Sequence, residues 1–287
     1  MSDLNINPIS NTATACLGLF QTTDIPYAKE WAEIHEIAKK TVDMLPGSDS
    51  IQLNRLALTV MLEARLKSAE SLIRREGNPN LLDLACGFTP RSFYMAKEGV
   101  HYVGADLPYV IEQVKPAMTT LLQKHEELQE CQSRIRYEIV DATDYSQLEA
   151  AVSHLSGPIT VTCEGLMGYM PACEQREVAT NIHRLLSAHG GVWITPDYNG
   201  SFTGTSLFVA NYIFSGVTEK TVPQSAWLDK EHACEMFKEL GFSVSEYVCR
   251  PNIETLSSLR FASGEEKDEL YHANQAWHFM LMRCNNA

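Results

Sequence analysis

From Asn80 onward the sequence alternates short runs rich in β-branched and aromatic residues with amphipathic stretches at helical spacing. That alternation admits few folds. It predicts strands at 81–85, 102–105, 135–140, 159–163 and 192–195, with helices at 91–97, 109–128, 145–153 and 173–188 between them. Strands and helices in this order build a parallel sheet with crossover helices on its faces. The end differs: a helix at 230–240 precedes runs 242–249 and 277–284, which suit an antiparallel pair. The expected architecture is α/β and Rossmann-like, a seven-stranded, mostly parallel sheet with an antiparallel C-terminal strand.

Upstream of Asn80 there is no credible strand. Residues 27–43 and 51–75 carry apolar side chains at three- and four-residue spacing, separated by the breaker Leu45-Pro46-Gly47-Ser48. The chain thus divides into a helical N-terminal lid, 1–76, and a main domain, 77–287. Two insertions in the main domain, 197–228 and 250–276, exceed ordinary loop lengths. The first contains a predicted helix at 206–213. Each suits either a cover over a pocket or, alternatively, a surface elaboration or an oligomer contact.

Composition narrows the partners. A formal net charge of -13 in 287 residues disfavours nucleic acid, whose recognition rests on clustered Lys and Arg that neutralise phosphates. No apolar run is long enough to span a membrane, and Met1-Ser2-Asp3-Leu4-Asn5 lacks the basic and apolar regions of a signal peptide. The cytoplasm is the expected compartment. The eight cysteines show no CxxC pair and the nine histidines no HxxxH or HExxH pattern, so neither a disulfide framework nor a metal site is expected.

The residues with chemical potential fall at the carboxyl ends of the predicted strands, where doubly wound folds bind their ligands. The first strand delivers Asp83, then Ala85 and Gly87, the latter letting backbone approach a ligand closely. Thr89-Pro90 follows as an expected N-cap and first helical residue. The second strand ends at Asp106-Leu107, nineteen positions beyond Gly87, where a carboxylate suits the two hydroxyls of a ribose. The third ends in Asp141-Ala142, whose acid suits an adenine amino group. The fourth ends in Glu164-Gly165, an acid near the positive end of a ligand.

Any one of these acids has an ordinary alternative as a helix cap, a solvated strand end or an ion-pair partner. Four in register favour a ligand site. A dinucleotide would call for GxGxxG spacing, which is absent. S-adenosylmethionine, with a ribose, an adenine, an ammonium and a sulfonium, suits several acids around one glycine loop.

Three segments together resemble a known group. Leu82-Asp83-Leu84-Ala85-Cys86-Gly87-Phe88-Thr89-Pro90-Arg91, Gly104-Ala105-Asp106-Leu107-Pro108 and Glu164-Gly165-Leu166-Met167-Gly168-Tyr169-Met170 are similar to motifs of the leucine carboxyl methyltransferase family and its bacterial small-molecule O-methyltransferase relatives. The resemblance covers roughly 51–197 and implies a class I methyltransferase fold using S-adenosylmethionine. It also implies that Arg65, in Glu63-Ala64-Arg65-Leu66-Lys67, holds the methionine carboxylate of the cofactor; the alternative is a solvated helix face shared with Lys67 and Arg74. The family's Asp-Thr-Arg after the glycine is Thr89-Pro90-Arg91 here, which points Arg91 toward a structural ion pair.

Methyl transfer is an in-line displacement, so positioning and water exclusion are the main tasks. A carboxylate acceptor is ionised at neutral pH and needs no base, and no catalytic base is assigned. Tyr169, Asp197 and Tyr198 are the acceptor-side candidates, with pocket-wall roles as the alternative for the tyrosines. The expectation is an O-methyltransferase acting on a carboxylate or hydroxyl of a small metabolite, with a polyketide-type acceptor as the candidate that the bacterial relatives suggest. Methylation of a protein's C-terminal carboxylate and a non-catalytic, cofactor-binding regulator are the competing readings. The oligomeric state is left open.

Overall fold

The computed structural model describes residues 8–37, 49–198 and 230–285. At its centre lies a seven-stranded sheet in the order β3-β2-β1-β4-β5-β7-β6. The strands are β1 Asn80–Leu84, β2 His101–Asp106, β3 Ile135–Ile139, β4 Ile159–Cys163, β5 Gly191–Thr195, β6 Phe242–Cys249 and β7 Trp277–Cys284. Neighbours among β1 to β5 pair parallel, and β7 runs antiparallel to both β5 and β6. The expected sheet is present, reversed strand included. After β3 the chain crosses back to the other side of β1, so the sheet has its switch point between β1 and β4.

Both faces of the sheet are covered, which is why its central strands read as continuous apolar runs. Leu82, Leu84, Val103, Ala105, Val161 and Trp193 pack with helices α6 (Tyr145–Val152), α7 (Ala172–His189) and α8 (Lys230–Glu239). The alternate residues Leu81, Tyr102, Tyr137, Val192 and Ile194 pack with α1 (Pro8–Phe20), α2 (Ala28–Ile34), α3 (Asp49–Glu76), α4 (Arg91–Lys97) and α5 (Pro108–Lys124). Each fully buried Leu, Ile or Val contributes about 1.5–3 kcal/mol, so the period-two alternation fixes strand register.

The long helix α3 lies against β5, β6 and β7. Its Glu63, completely buried, grips the segment after β6: the backbone N–H and hydroxyl of Ser257 donate to Oε1 at 2.9 and 2.6 Å, and the Ser258 N–H donates to Oε2 at 2.9 Å. The 250–276 stretch is therefore built, from 3-10 turns Ile253–Thr255 and Ser257–Phe261 and helix α9 (Gly264–Asn274), against α3.

The structure departs from the sequence pattern in three places. Helix α1 is not among the predicted helices, although Ala13, Cys16, Leu17 and Phe20 stand at helical spacing; Leu17, Leu19 and Phe20 at its end enter the core and Ala13 and Cys16 pack against it. The helix predicted at 27–43 appears as Ala28–Ile34, and 38–48 lie outside the described residues. The helix predicted at 109–128 breaks at His125, whose extended backbone separates α5 from a single turn, Glu126–Gln129. The ring of His125 meets Glu30 of α2 at 2.9 Å, a contact that competes with helix continuation. Most of the 197–228 insertion, with its helix at 206–213, lies outside the described residues.

Candidate functional site

The loop from β1 to α4 passes through two left-handed residues, Ala85 at φ 54° and Gly87 at φ 53°. Two such positions in three residues fold the chain back on itself at the switch point. A side chain on Gly87 would also stand 3.1 Å from the Cβ of Ala13, so α1 rests on the glycine loop. Thr89 is not the N-cap that the sequence suggests. Its hydroxyl donates back to the Cys86 carbonyl, and α4 begins at Arg91 with Pro90 at the cap position.

Beneath the loop lies a charge network. Arg91, 1% exposed, donates from Nη1 to Asp83 at 2.9 Å and from Nη2 to Glu164, and its Nε lies 3.9 Å from Glu70. Asp83 also accepts from the Tyr102 hydroxyl at 2.8 Å, and Glu70 from Tyr94. Tyr102 reaches Asp83 beside Gly104, the register partner of Asp83, where any Cβ would strike the rings of Tyr137 and Tyr102. Burial pushes the carboxyls of Asp83 and Glu70 above their ordinary range, against the pull of Arg91. Burial also opposes the charge of Arg91, but Glu164 and Asp83 outweigh it and hold the guanidinium well above its usual range. The second oxygen of Glu164 faces Arg65 of α3 at 3.5 Å, and the buried Arg65 Nε has no hydrogen-bond partner among the described residues.

Across the loop the acids are more open. Asp106 accepts from the Gly87 N–H at 2.8 Å and from the Leu107 N–H at 2.7 Å. Its surroundings push its carboxyl up to about 6, burial raising it and the two N–H groups pulling it back. Asp141 is exposed and accepts from the N–H and hydroxyl of Thr143 at 2.9 and 2.7 Å. Asn181 of α7 steadies the same turn by donating to the carbonyls of Ala142 and Thr143, and Asp144 caps α6. Leu107, Tyr109 and Ile139 are exposed large apolar residues at the ends of β2 and β3 and the start of α5.

The acceptor-side candidates are placed differently from one another. Tyr169 ends a 3-10 turn, Met167–Tyr169, and reaches the Thr12 hydroxyl of α1 at 3.4 Å. Asp197 and Tyr198 are both buried. Asp197 accepts from the backbone N–H groups of Gly165, Leu166 and Met167 at 2.6, 2.9 and 2.9 Å, and Tyr198 donates to Gln175 at 2.8 Å while packing on Phe237. Their polar atoms are already spent within the fold.

The strand-end pattern thus brings together Asp83, Gly87, Asp106 and Glu164, and α3 adds Arg65. Sequence reasoning missed Glu70, Tyr94 and Tyr102, which complete the network, and the α1 residues above it. Glu70 and Arg74, an i,i+4 pair at 3.6 Å on α3, were a local signal for the first; the tyrosines join through the sheet and left none. Among the described residues no group of His, Cys, Asp or Glu is placed to hold a metal ion, and no helix is long and apolar enough to cross a membrane.

No family model matches the chain, and no curated protein matches it. Solved structures do. A DUF574 family protein from Streptomyces avermitilis aligns with a TM-score of 0.55 and 14% identity, over 96% of this chain and 97% of that one. The methyltransferase domain of bacterial CtHen1 aligns at 0.50 with 14% identity, over 78% of this chain and 100% of that one. The fold is a methyltransferase fold. An O-methyltransferase family protein from Burkholderia thailandensis aligns at 0.45 with 12% identity over 83% of this chain, which spans 61% of that protein's length. Identities this low speak to architecture alone.

Proposed function

We propose that this chain is an S-adenosylmethionine-dependent methyltransferase that transfers the methyl group to a carboxylate or hydroxyl oxygen of a small metabolite. The observation that carries the reading is Arg65 and Glu164 standing 3.5 Å apart at the switch point, with the Arg65 Nε–H unpartnered among the described residues. A loose, partly buried pair of opposite charges fits the zwitterionic methionine end of the cofactor, its carboxylate to Arg65 and its ammonium to Glu164. Asp106, with Leu107 beside it, would hold the ribose hydroxyls. Asp141 and Ala142 would meet the adenine. Ala85, Gly87 and Gly165 supply backbone rather than side chain, and Asp83 acts from beneath by fixing Arg91.

When bound, S-adenosylmethionine supplies an electrophilic methyl group on a sulfonium. The protein's part is then to hold the acceptor oxygen in line, to exclude water, and to keep acids near the positive charge. Tyr169, beneath α1, is the acceptor-side residue of this reading. Burial raises its phenol well above the usual range, so it serves as a hydrogen-bond donor rather than as a base.

The oxygen acceptor and the kinship with leucine carboxyl methyltransferases rest on the sequence motifs. A C-terminal protein carboxylate remains the alternative substrate of the same chemistry. Calorimetric titration with S-adenosylhomocysteine tests the reading. Saturable binding is expected, and no heat at millimolar ligand would sink every version of it, a cofactor-binding regulator included. A labelled-methyl assay against pooled metabolites and proteins then separates the versions: alkali-labile label marks an ester, stable label an ether.

A further inference from the structure

Asp197 and Tyr198 are adjacent in sequence, and their polar atoms converge on one segment of backbone. The two oxygens of Asp197 take all three N–H groups of Gly165, Leu166 and Met167, while its own N–H is fixed to the Thr195 hydroxyl at 3.1 Å. Tyr198 donates to Gln175 Oε1, and Gln175 Nε2 donates at 2.9 Å to the carbonyl of Met170. One dipeptide therefore grips both ends of the turn from Gly165 to Met170. The turn needs such a grip. Gly165 sits at φ +86°, a left-handed conformation, and the residue before it is Glu164, whose carboxylate lies between Arg91 and Arg65.

We infer that Asp197 is a positioning residue, which with Tyr198 holds the Glu164 carboxylate where it meets the ammonium group of the cofactor's methionine end. The inference rests on the proposed function and goes beyond it, because it removes Asp197 and Tyr198 from the acceptor side. A carboxylate is required rather than an amide. Three converging N–H donors need two acceptor oxygens, and an Asn would turn its NH2 toward one or two of them. Peptide 164–165 would then lose its anchor, and Glu164 its fixed place between the two arginines.

Two ligands separate this role from a merely structural one. S-adenosylhomocysteine carries the amino-acid end; 5′-methylthioadenosine shares the adenine, ribose and thioether but has no ammonium. Calorimetric titration of D197N is expected to show S-adenosylhomocysteine weakened by about tenfold, the scale of a lost charge-assisted contact, with 5′-methylthioadenosine unchanged. E164Q should give the same split, and the double variant D197N/E164Q should lose no more than E164Q alone, since both act through one contact. Equal losses for the two ligands, or none for either in folded D197N, overturn the inference. Should D197N fail to fold, Y198F, which removes only the link through Gln175, is expected to give the same split at about threefold, and an equal loss for both ligands overturns it too. If the wild-type protein binds neither ligand, the proposed function falls and takes this inference with it. Wild-type binding without the split removes the inference alone.

Discussion

The rim of the sheet divides at β1 into two halves that use the same residue types in opposite ways. On the β4–β5 side, Asp83, Glu164 and Asp197 are engaged by Arg91, Arg65 and backbone N–H groups inside the fold. On the β2–β3 side, Asp106 accepts from the backbone N–H groups of Gly87 across the loop and of Leu107, Asp141 accepts only within its own turn, and exposed Leu107, Tyr109 and Ile139 lie nearby in the chain. An acid whose hydrogen bonds are taken from the fold contributes to stability and shape. One that keeps an open flank is available to a ligand. Substitutions at Asp83 and Arg91 should therefore register mainly in unfolding and those at Asp106 and Asp141 mainly in binding, while Glu164, which faces both Arg91 and Arg65, and Asp197, which anchors it, join the two.

The largest effect is expected at Arg91. It is buried and compensates Asp83 and Glu164, so Arg91→Met keeps much of its volume and leaves carboxylates without their counter-charge. Breaking one partner of a buried pair costs about 3–5 kcal/mol. Urea unfolding should detect a loss of that order, and a loss under about 1 kcal/mol would mean the network is solvated and the contrast between the halves false.

Asp106 should behave oppositely. Asp106→Ala is expected to weaken S-adenosylhomocysteine binding by about tenfold through loss of charge-assisted contacts. Its carboxyl is pushed up to about 6, so it is a full acceptor only above that value, and affinity should fall as the pH drops below 6. Asp106→Asn should flatten that dependence. Stability of the free protein runs the other way: the folded carboxyl keeps its proton to about pH 6, while an unfolded Asp releases it near pH 4. The unliganded fold therefore loses this contribution as pH rises through that window. Affinity that is flat from pH 5 to 8 would remove Asp106 from the ligand's contacts.

The sheet was legible because its signals are local. β1 to β5 are short runs each followed within a few residues by an acid or a glycine, and they stand within a residue or two of their predicted bounds. Helix α1 was not, since its apolar residues at helical spacing, Ala13, Cys16, Leu17 and Phe20, are small at the start and set among Ser10, Asn11, Thr12 and Thr14. The site follows the same rule. That Asp83, Asp106, Asp141 and Glu164 end successive strands can be read from spacing. That Asp83 is covered by Arg91 and Tyr102, or that Asp197 faces the backbone of Gly165 more than thirty residues earlier, depends on strands meeting in space.

The smallest effect is expected at Asp141, and it sharpens the comparison most. Its turn is held independently by Asn181, which donates to the carbonyls of Ala142 and Thr143, and by Asp144 at the head of α6. Asp141→Ala should therefore leave stability within about 1 kcal/mol, the value of one exposed side-chain hydrogen bond. If the carboxylate accepts from the adenine amino group, the same variant should weaken S-adenosylhomocysteine by about threefold and leave S-inosylhomocysteine, which has a carbonyl at that position, unaffected. Equal loss for both ligands would place the contact on the ribose or the loop instead. A stability loss as large as that of Arg91→Met would erase the distinction between the two halves of the rim.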